Sequence, residues 1–267
     1  IPTLLHESNA FPGMAIKMLA NKTNTILVSF RDAIPRIKNC KNVVFTGTPV
    51  KIKKKDFNEN ERNKIIQTTG LNNKKPIILV FGGSQGAKRI NDTLVEIIKT
   101  KLNKDYQVIW ATGPKQYDII KEELEMSNVN INNIENMKIL PYIYNMEEIM
   151  NVSDIIVARS GAMTLTEIAL VGKPAIFIPY PFATENHQEY NAKVLEKVGA
   201  AKIILDKELN FTKLNNTINN IVKDTETLKT MGESAKRVAR ADVEENIYKE
   251  ICRIVSKHET RNNLPPE

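Results

Sequence analysis

Two cysteines, Cys40 and Cys252, stand far apart in 267 residues and are too few for a disulfide framework. Their scarcity points to a reducing, cytoplasmic setting. Three histidines, His6, His187 and His258, include no pair at metal-ligand spacing, so no protein-held metal or other cofactor is expected. No Asp-x-Asp occurs, which removes a carboxylate clamp for a metal-bound nucleotide. No apolar run approaches the ~20 residues of a membrane-spanning helix, and the opening residues do not read as a signal peptide. Aromatics make up only 6% of the chain, and none interleaves with the basic run "KIKKK" (51–55). Nucleic-acid binding is therefore not expected, because a single-strand binder needs stacking platforms among its cations.

The net charge of +7 is unevenly distributed. Residues 1–75 carry 14 Lys and Arg against 5 Asp and Glu, whereas the remainder is almost neutral. An anionic surface or ligand is expected near the first quarter. A hydrophobic content of 42% is enough for a large core.

Apolar strands alternate with helical patterns nearly throughout. "TLLHES", "TILVSF" and "NVVFTG" read as strands, with "GMAIKMLANK" as a short helix after the first. Six more strands are expected at 76–81, 106–111, 137–140, 154–158, 174–178 and 201–205. Helices are expected near 87–101, 115–126, 145–151, 163–171 and 188–198, with three more at 211–222, 225–240 and 242–256. This alternation predicts an α/β fold with parallel sheets. Residues 48–56, with Pro49 and a charge run, read as a linker, and "RNNLPPE" as a tail. The piece before the linker is short for a domain, so the chain is read as starting inside one. Its sheet is expected to be incomplete, with residues 1–49 poorly anchored.

Between strand and helix lies "FGGSQGAKRIN" (81–91). A P-loop would need Gly-Lys four residues beyond a first glycine, and a dinucleotide fingerprint would need Gly where Ser84 stands. Neither pattern fits, although such a turn can still present bare N–H groups to an anion. A second turn follows "IIVARS": "GAMTLTEIALVGKP" (161–174) opens a helix near Ala162. Its first N–H groups could hold a phosphate, Glu167 could accept from two ribose hydroxyls or merely cap the helix, and Arg159 could pair with phosphate. Gln188 and Asn191 lie three apart on one helix face, where amides could meet sugar hydroxyls or only solvent.

Five segments together, "HESNAFPG", "TGTPV", "FGGSQGAKRIN", "RSGAMTLTEIALVGKPAIFIPYP" and "HQEYNAKVLEKVGAAKII", resemble the MurG family in order and spacing across essentially the whole chain. That resemblance implies two Rossmann-like domains of the GT-B type. Residues 1–49 would be the end of the acceptor-side domain and 50–267 the donor-side domain, with the last helix returning to the first. It implies an inverting transfer of N-acetylglucosamine from UDP-N-acetylglucosamine to undecaprenyl-diphospho-muramoylpentapeptide, at the cytoplasmic face of an anionic membrane. By the same resemblance, Asn9 faces the donor sugar, Ser84 touches the donor, and the Ile143 backbone meets the uracil edge. Ala162, Met163, Thr164, Leu165 and Thr166 form the diphosphate-holding helix start, with Glu167 on the ribose and Gln188 and Asn191 on the sugar. His6 and Glu7 would support activity, and Lys51 stands where the family carries a phosphate-binding Arg. The family's upstream Gly-rich loop is not in this sequence, so the chain is expected to bind UDP without transferring sugar. The residues alone leave open a related UDP-sugar enzyme, such as a 2-epimerase or glycolipid synthase, and a non-catalytic nucleotide-sugar-binding module.

Overall fold

Two parallel sheets organise the chain in a computed structural model that describes residues 1–262. The smaller sheet has three strands, β1 (Leu4–Glu7), β2 (Thr25–Val28) and β3 (Val43–Phe45), in that order. The short helix α1 (Met14–Leu19) follows β1. The larger sheet comprises β4 (Ile77–Phe81), β5 (Gln107–Ala111), β6 (Met137–Leu140), β7 (Ile155–Ala158), β8 (Ala175–Phe177) and β9 (Ala201–Ile203). Their spatial order is β6-β5-β4-β7-β8-β9, all parallel. The chain thus winds outward one way from β4, then returns to start again at β7. That reversal opens a crevice beyond the carboxyl ends of β4 and β7.

Burial explains the sequence pattern. β4, β5 and β7 are buried along their whole length, as parallel strands covered on both faces must be. One face packs Leu79, Ile109 and Ile156 against α5 (Met146–Val152) and α6 (Ala162–Val171). The other packs Val80, Val108 and Trp110 against α3 (Lys88–Thr100), α4 (Pro114–Met126) and α8 (Phe211–Val222). Trp110, the only tryptophan, is fully buried and donates its Nε1–H to Asn91 Oδ1 (3.0 Å).

The expected strands and helices form within a few residues of their sequence bounds. One helix was not anticipated, α2 (Glu59–Thr68). Its start is a capping box: the Asn58 side chain accepts from Glu61 N–H, and the Glu61 carboxylate accepts from Asn58 N–H. The remaining helices are α7 (His187–Lys197), α9 (Thr225–Val238) and α10 (Val243–Asn262). Helix α10 runs past its expected end at 256 and takes in Arg261 and Asn262 of the expected tail, whose other residues, 263–267, lie outside the described residues.

Residues 1–49 were expected to be poorly anchored, but the smaller sheet holds to the larger unit through a buried polar junction. Asn191 of α7 is fully buried, and its Oδ1 accepts from Ala10 N–H (2.8 Å). Its Nδ2 donates to Asn9 Oδ1 (3.1 Å) and to the Ser160 carbonyl (3.2 Å). Around this junction Phe11 stacks on Tyr190 (centroids 4.6 Å apart), and the Arg36 guanidinium lies over both rings. Ion pairs Lys17–Glu185 (3.0 Å) and Lys197–Asp32 (2.7 Å) flank it. Asn191→Ala strands the Ala10 N–H, the Asn9 amide oxygen and the Ser160 carbonyl. Urea unfolding should show a loss of about 1–3 kcal/mol, and limited proteolysis should cut residues 1–45 faster than in the parent.

Candidate functional site

The loop after β4 must turn sharply over the neighbouring strand end. Gly83 and Gly86 take positive φ (91° and 77°), and a Cβ on Gly86 would overlap the Thr112 carbonyl. That loop and the turn after β7 face each other across the strand-order reversal. Between them lies a cavity of about 580 Å³, lined by Gly82, Gly83, Arg159, Gly161, Thr164 and Gln188 among others. Ser84 is exposed on the same loop.

Two helices begin at this cavity without a side-chain cap: α3 after Ala87 and α6 after Gly161. In α6 the first helical bond runs from Leu165 N–H to the Gly161 carbonyl (2.9 Å). The N–H groups of Ala162, Met163 and Thr164 have no protein partner among the described residues. Elsewhere the fold does cap its helices: Asn58, Asn210 and Asp224 close α2, α8 and α9 with side-chain oxygens. Helices α3 to α7, which all start beyond carboxyl ends of strands, have none. The cleft end of the sheet is therefore rich in unsatisfied donors suited to an anion.

Thr166 and Leu165 play inward roles: the Thr166 hydroxyl donates to the Ala162 carbonyl, and the Leu165 side chain is fully buried. Glu167 is half-buried, with no hydrogen bond or ion pair from its carboxylate among the described residues. Burial pushes its carboxyl above the ordinary range. Ile143, in the turn after β6, buries its side chain in the core. Its backbone N–H has no partner among the described residues, while its carbonyl opens the turn into α5. β6 lies two strands, about 10 Å, from β4 on the same side of the reversal.

Other expected site residues are occupied by the protein itself. Arg159 NH1 donates to Asp206 Oδ1 (2.6 Å) and to the carbonyls of Ile178 and Pro179. It braces the turn after β8, although it still lines the cavity. The buried Glu7 carboxylate accepts from Asn9 N–H, Asn9 Nδ2 and Gly13 N–H (2.7 Å), clamping loop 8–13. His6 donates Nε2–H to the Gly47 carbonyl (2.9 Å), tying β1 to the linker. Asn9 and Asn191, expected at the donor sugar, bond to each other and to Glu7, Ala10 and Ser160 where the sheets meet. Gln188 is different. Its Oε1 accepts from Tyr180 N–H (3.0 Å), while its Nε2 has no partner among the described residues and sits at the cavity. Lys51 is exposed and unpaired among the described residues, outside this cavity.

Sequence reasoning passed over Tyr180, Phe182, Lys88, Arg89 and Asp206, which also line the cavity. Tyr180 and Phe182 meet edge to face (centroids 5.7 Å apart), and Phe182 is 81% exposed. Their position just beyond the carboxyl end of β8 was the available signal.

Comparison with known proteins gives a consistent set. The model of the glycosyltransferase family 28 C-terminal domain matches residues 77–247. A protein of Thermoanaerobacter sp. is 39% identical over 249 residues, spanning 93% of this chain and 67% of its own length. One of Caldanaerobacter subterraneus is 40% identical over 253 residues, covering 93% and 66%. Both are named UDP-N-acetylglucosamine–N-acetylmuramyl-(pentapeptide) pyrophosphoryl-undecaprenol N-acetylglucosamine transferase. This chain thus spans about two thirds of the length of these relatives. The crystal structure of Acinetobacter baumannii MurG aligns with TM-score 0.74 and 26% identity, over 95% of this chain and 68% of that one. The Staphylococcus aureus MnaA–UDP structure aligns at TM-score 0.65 with 14% identity, a likeness of fold alone.

The unpaired Glu167 carboxylate has a measurable consequence. Its folded pKa is raised, so the stability linked to it is full below about pH 4.5 and is lost as pH rises through the folded value. Glu167→Gln should be at least as stable as the parent at neutral pH. Thermal melts over this window should show a flatter pH dependence in the variant, and a less stable variant at pH 7 would contradict an unpaired carboxylate.

Proposed function

This chain belongs to the MurG family of glycosyltransferases, within family 28, and on that premise we propose that its cleft holds UDP-N-acetylglucosamine for transfer to a lipid-linked muramoyl-pentapeptide. The observation that carries the reading of the site is the pair of uncapped helix starts, α3 and α6, on either side of one cavity at the strand-order reversal.

In this reading the N–H groups of Ala162, Met163 and Thr164 receive the diphosphate. Glu167 accepts from the ribose hydroxyls, the Ile143 backbone reads the uracil edge, and the free Nε2 of Gln188 donates to the sugar. Ser84 approaches the donor from the opposite loop. The acceptor hydroxyl oxygen bonds to the anomeric carbon as the bond to the UDP oxygen breaks, which inverts that carbon. The leaving oxygen gains negative charge, and donors already aimed at it stabilise that charge without reorganising. A general base takes the hydroxyl proton. His6 and Glu7 act as positioning residues: by holding loop 8–13 and the linker they fix the wall that faces the donor. Asn9 and Asn191 serve the same end, and Lys51 extends the positive field of the first quarter.

An anionic membrane surface as the place of action is part of the same proposal. The excess of Lys and Arg in residues 1–75 supports it, and no described helix is long and apolar enough to cross a membrane. Attraction of this kind should weaken with salt.

Calorimetry with UDP tests the site. Glu167→Ala should weaken UDP binding by roughly 1.5–3 kcal/mol, the worth of hydrogen bonds to a charged group. In the parent, affinity should fall as acid protonates Glu167, from a higher pH than an ordinary carboxylate would require. Unchanged affinity in the variant would remove the ribose assignment. Gln188→Ala should leave UDP affinity unchanged but weaken UDP-N-acetylglucosamine, and an equal loss for both ligands would assign Gln188 a structural role instead.

A further inference from the structure

At the opposite end of the larger sheet, the segments that lead into β7 and β8 meet the linker. Here lies a second cavity, of about 300 Å³. Five cations line it, Lys54 and Lys55 of the linker, Arg62 of α2, Lys173 before β8 and Lys236 of α9, against one carboxylate, Asp56. The four-residue strand β7 puts it about 13 Å from the cleft, so it is a separate site.

Most charges here are answered. Lys54 pairs with Asp56 (2.6 Å), Lys55 with Glu147 (3.5 Å) and Arg62 with Asp154 (3.0 Å). Lys173 and Lys236 are not: neither ammonium has an ion pair or hydrogen bond among the described residues. The Lys236 stem lies across Gly172 so closely that a Cβ there would overlap it, which fixes where its ammonium can reach. Lys173 is desolvated at the wall, with the charges of Arg62, Lys236 and Lys54 in range. Lys236 is exposed and Lys173 half-buried. Like charges held around one hollow, with no carboxylate on either ammonium, repel one another and do not stabilise the fold.

We propose that this cavity is an anion site that takes a phosphate group, with Lys173 and Lys236 as its principal ligands and Lys54 and Arg62 in support. Its size admits a phosphate or a small phosphate ester and is at the lower limit for a larger organic ligand. Occupancy would act on the connection between the two sheets. Linker residues 53–55 are already pinned to α5: Lys53 N–H donates to Glu147 (3.3 Å), Lys55 N–H donates to Asn151 Oδ1 (2.9 Å), and Asn151 Nδ2 donates to the Lys53 carbonyl (2.9 Å). An anion between Lys54, Lys173 and Lys236 would draw this segment toward α9 as well.

Proton coupling adds a signature. Burial pushes the Lys173 ammonium down to about 8, while Asp154 opposes the shift and Arg62, Lys236 and Lys54 add to it. A bound anion favours the charged form, so binding takes up protons near pH 8 and weakens as pH rises through that value.

The test uses the whole 267-residue chain and its Lys173→Met and Lys236→Met variants, which keep most of the aliphatic stem. Inorganic phosphate is titrated by calorimetry. In parallel, phosphatidylcholine vesicles with and without phosphatidic acid are tested by sedimentation, which separates a soluble source of phosphate from a lipid headgroup. Either variant should lose about tenfold or more in affinity for whichever source binds, while UDP affinity and melting temperature hold. Phosphate binding that falls in the variants supports the site with a soluble ligand, and retention only by phosphatidic acid vesicles, again falling in the variants, supports it with a headgroup. Binding to either source that is equal in parent and variants, or no binding to either, overturns the proposal. Because UDP is measured separately, failure here leaves the reading of the cleft untouched.

Discussion

A single buried amide, that of Asn191, settles how the two sheets meet. An amide with no water around it must find protein partners, and this one finds them on both sides. Ser160 belongs to the turn after β7, whereas Asn9 and Ala10 belong to the loop after β1. The bonds to Asn9 and Ala10 exist only while the sheets stand together, so separation would leave those groups unsatisfied at once. The Phe11–Tyr190 stack and its Arg36 cation add apolar area to the same contact. Because Glu7 clamps loop 8–13 from below, Asn9 and Ala10 are held where Asn191 meets them.

The two ends of the larger sheet are built on opposite rules. At the cleft, helices begin without side-chain caps and leave donors free. At the far end, cations gather instead: Lys173 precedes β8, Arg62 is bonded to Asp154 at the start of β7, and Lys236 closes α9. Both arrangements leave polar groups short of protein partners, which is the mark of surfaces shaped for something other than stability. One offers fixed dipoles to a charge. The other offers ammonium groups, one of which, Lys173, can change its own protonation.

Much of this was legible in the sequence. Short apolar runs such as "PIILV", bounded by proline and glycine, read as doubly covered parallel strands, and the spacing between them leaves room for single crossover helices. Helix α2 was legible too, since Asn58 and Glu61 stand at capping-box spacing; the lysine run before it drew attention to charge instead. Burial was not legible. Nothing local distinguishes Asn191, which bridges two sheets, from Gln188, which faces a cavity three residues earlier. The difference comes from loop 8–13, distant in sequence, settling on one and not the other. Glu7 and His6 likewise look like chemistry in a string of letters, yet spend their hydrogen-bonding capacity on a loop and a linker.

The sole tryptophan has a practical use that follows from its place. Trp110 sits fully buried on β5 with its indole N–H bonded to Asn91, whose Nδ2 donates to the Thr112 carbonyl (2.8 Å) and to Gln116 Oε1 (2.7 Å). Thr112 is also the residue against which Gly86 packs, so the indole is one link removed from the glycine loop at the cleft. The smaller sheet carries no indole at all. Tryptophan emission, excited apart from the tyrosines, is therefore a private optical channel of the larger unit: it reports the integrity of the sheet that carries Trp110.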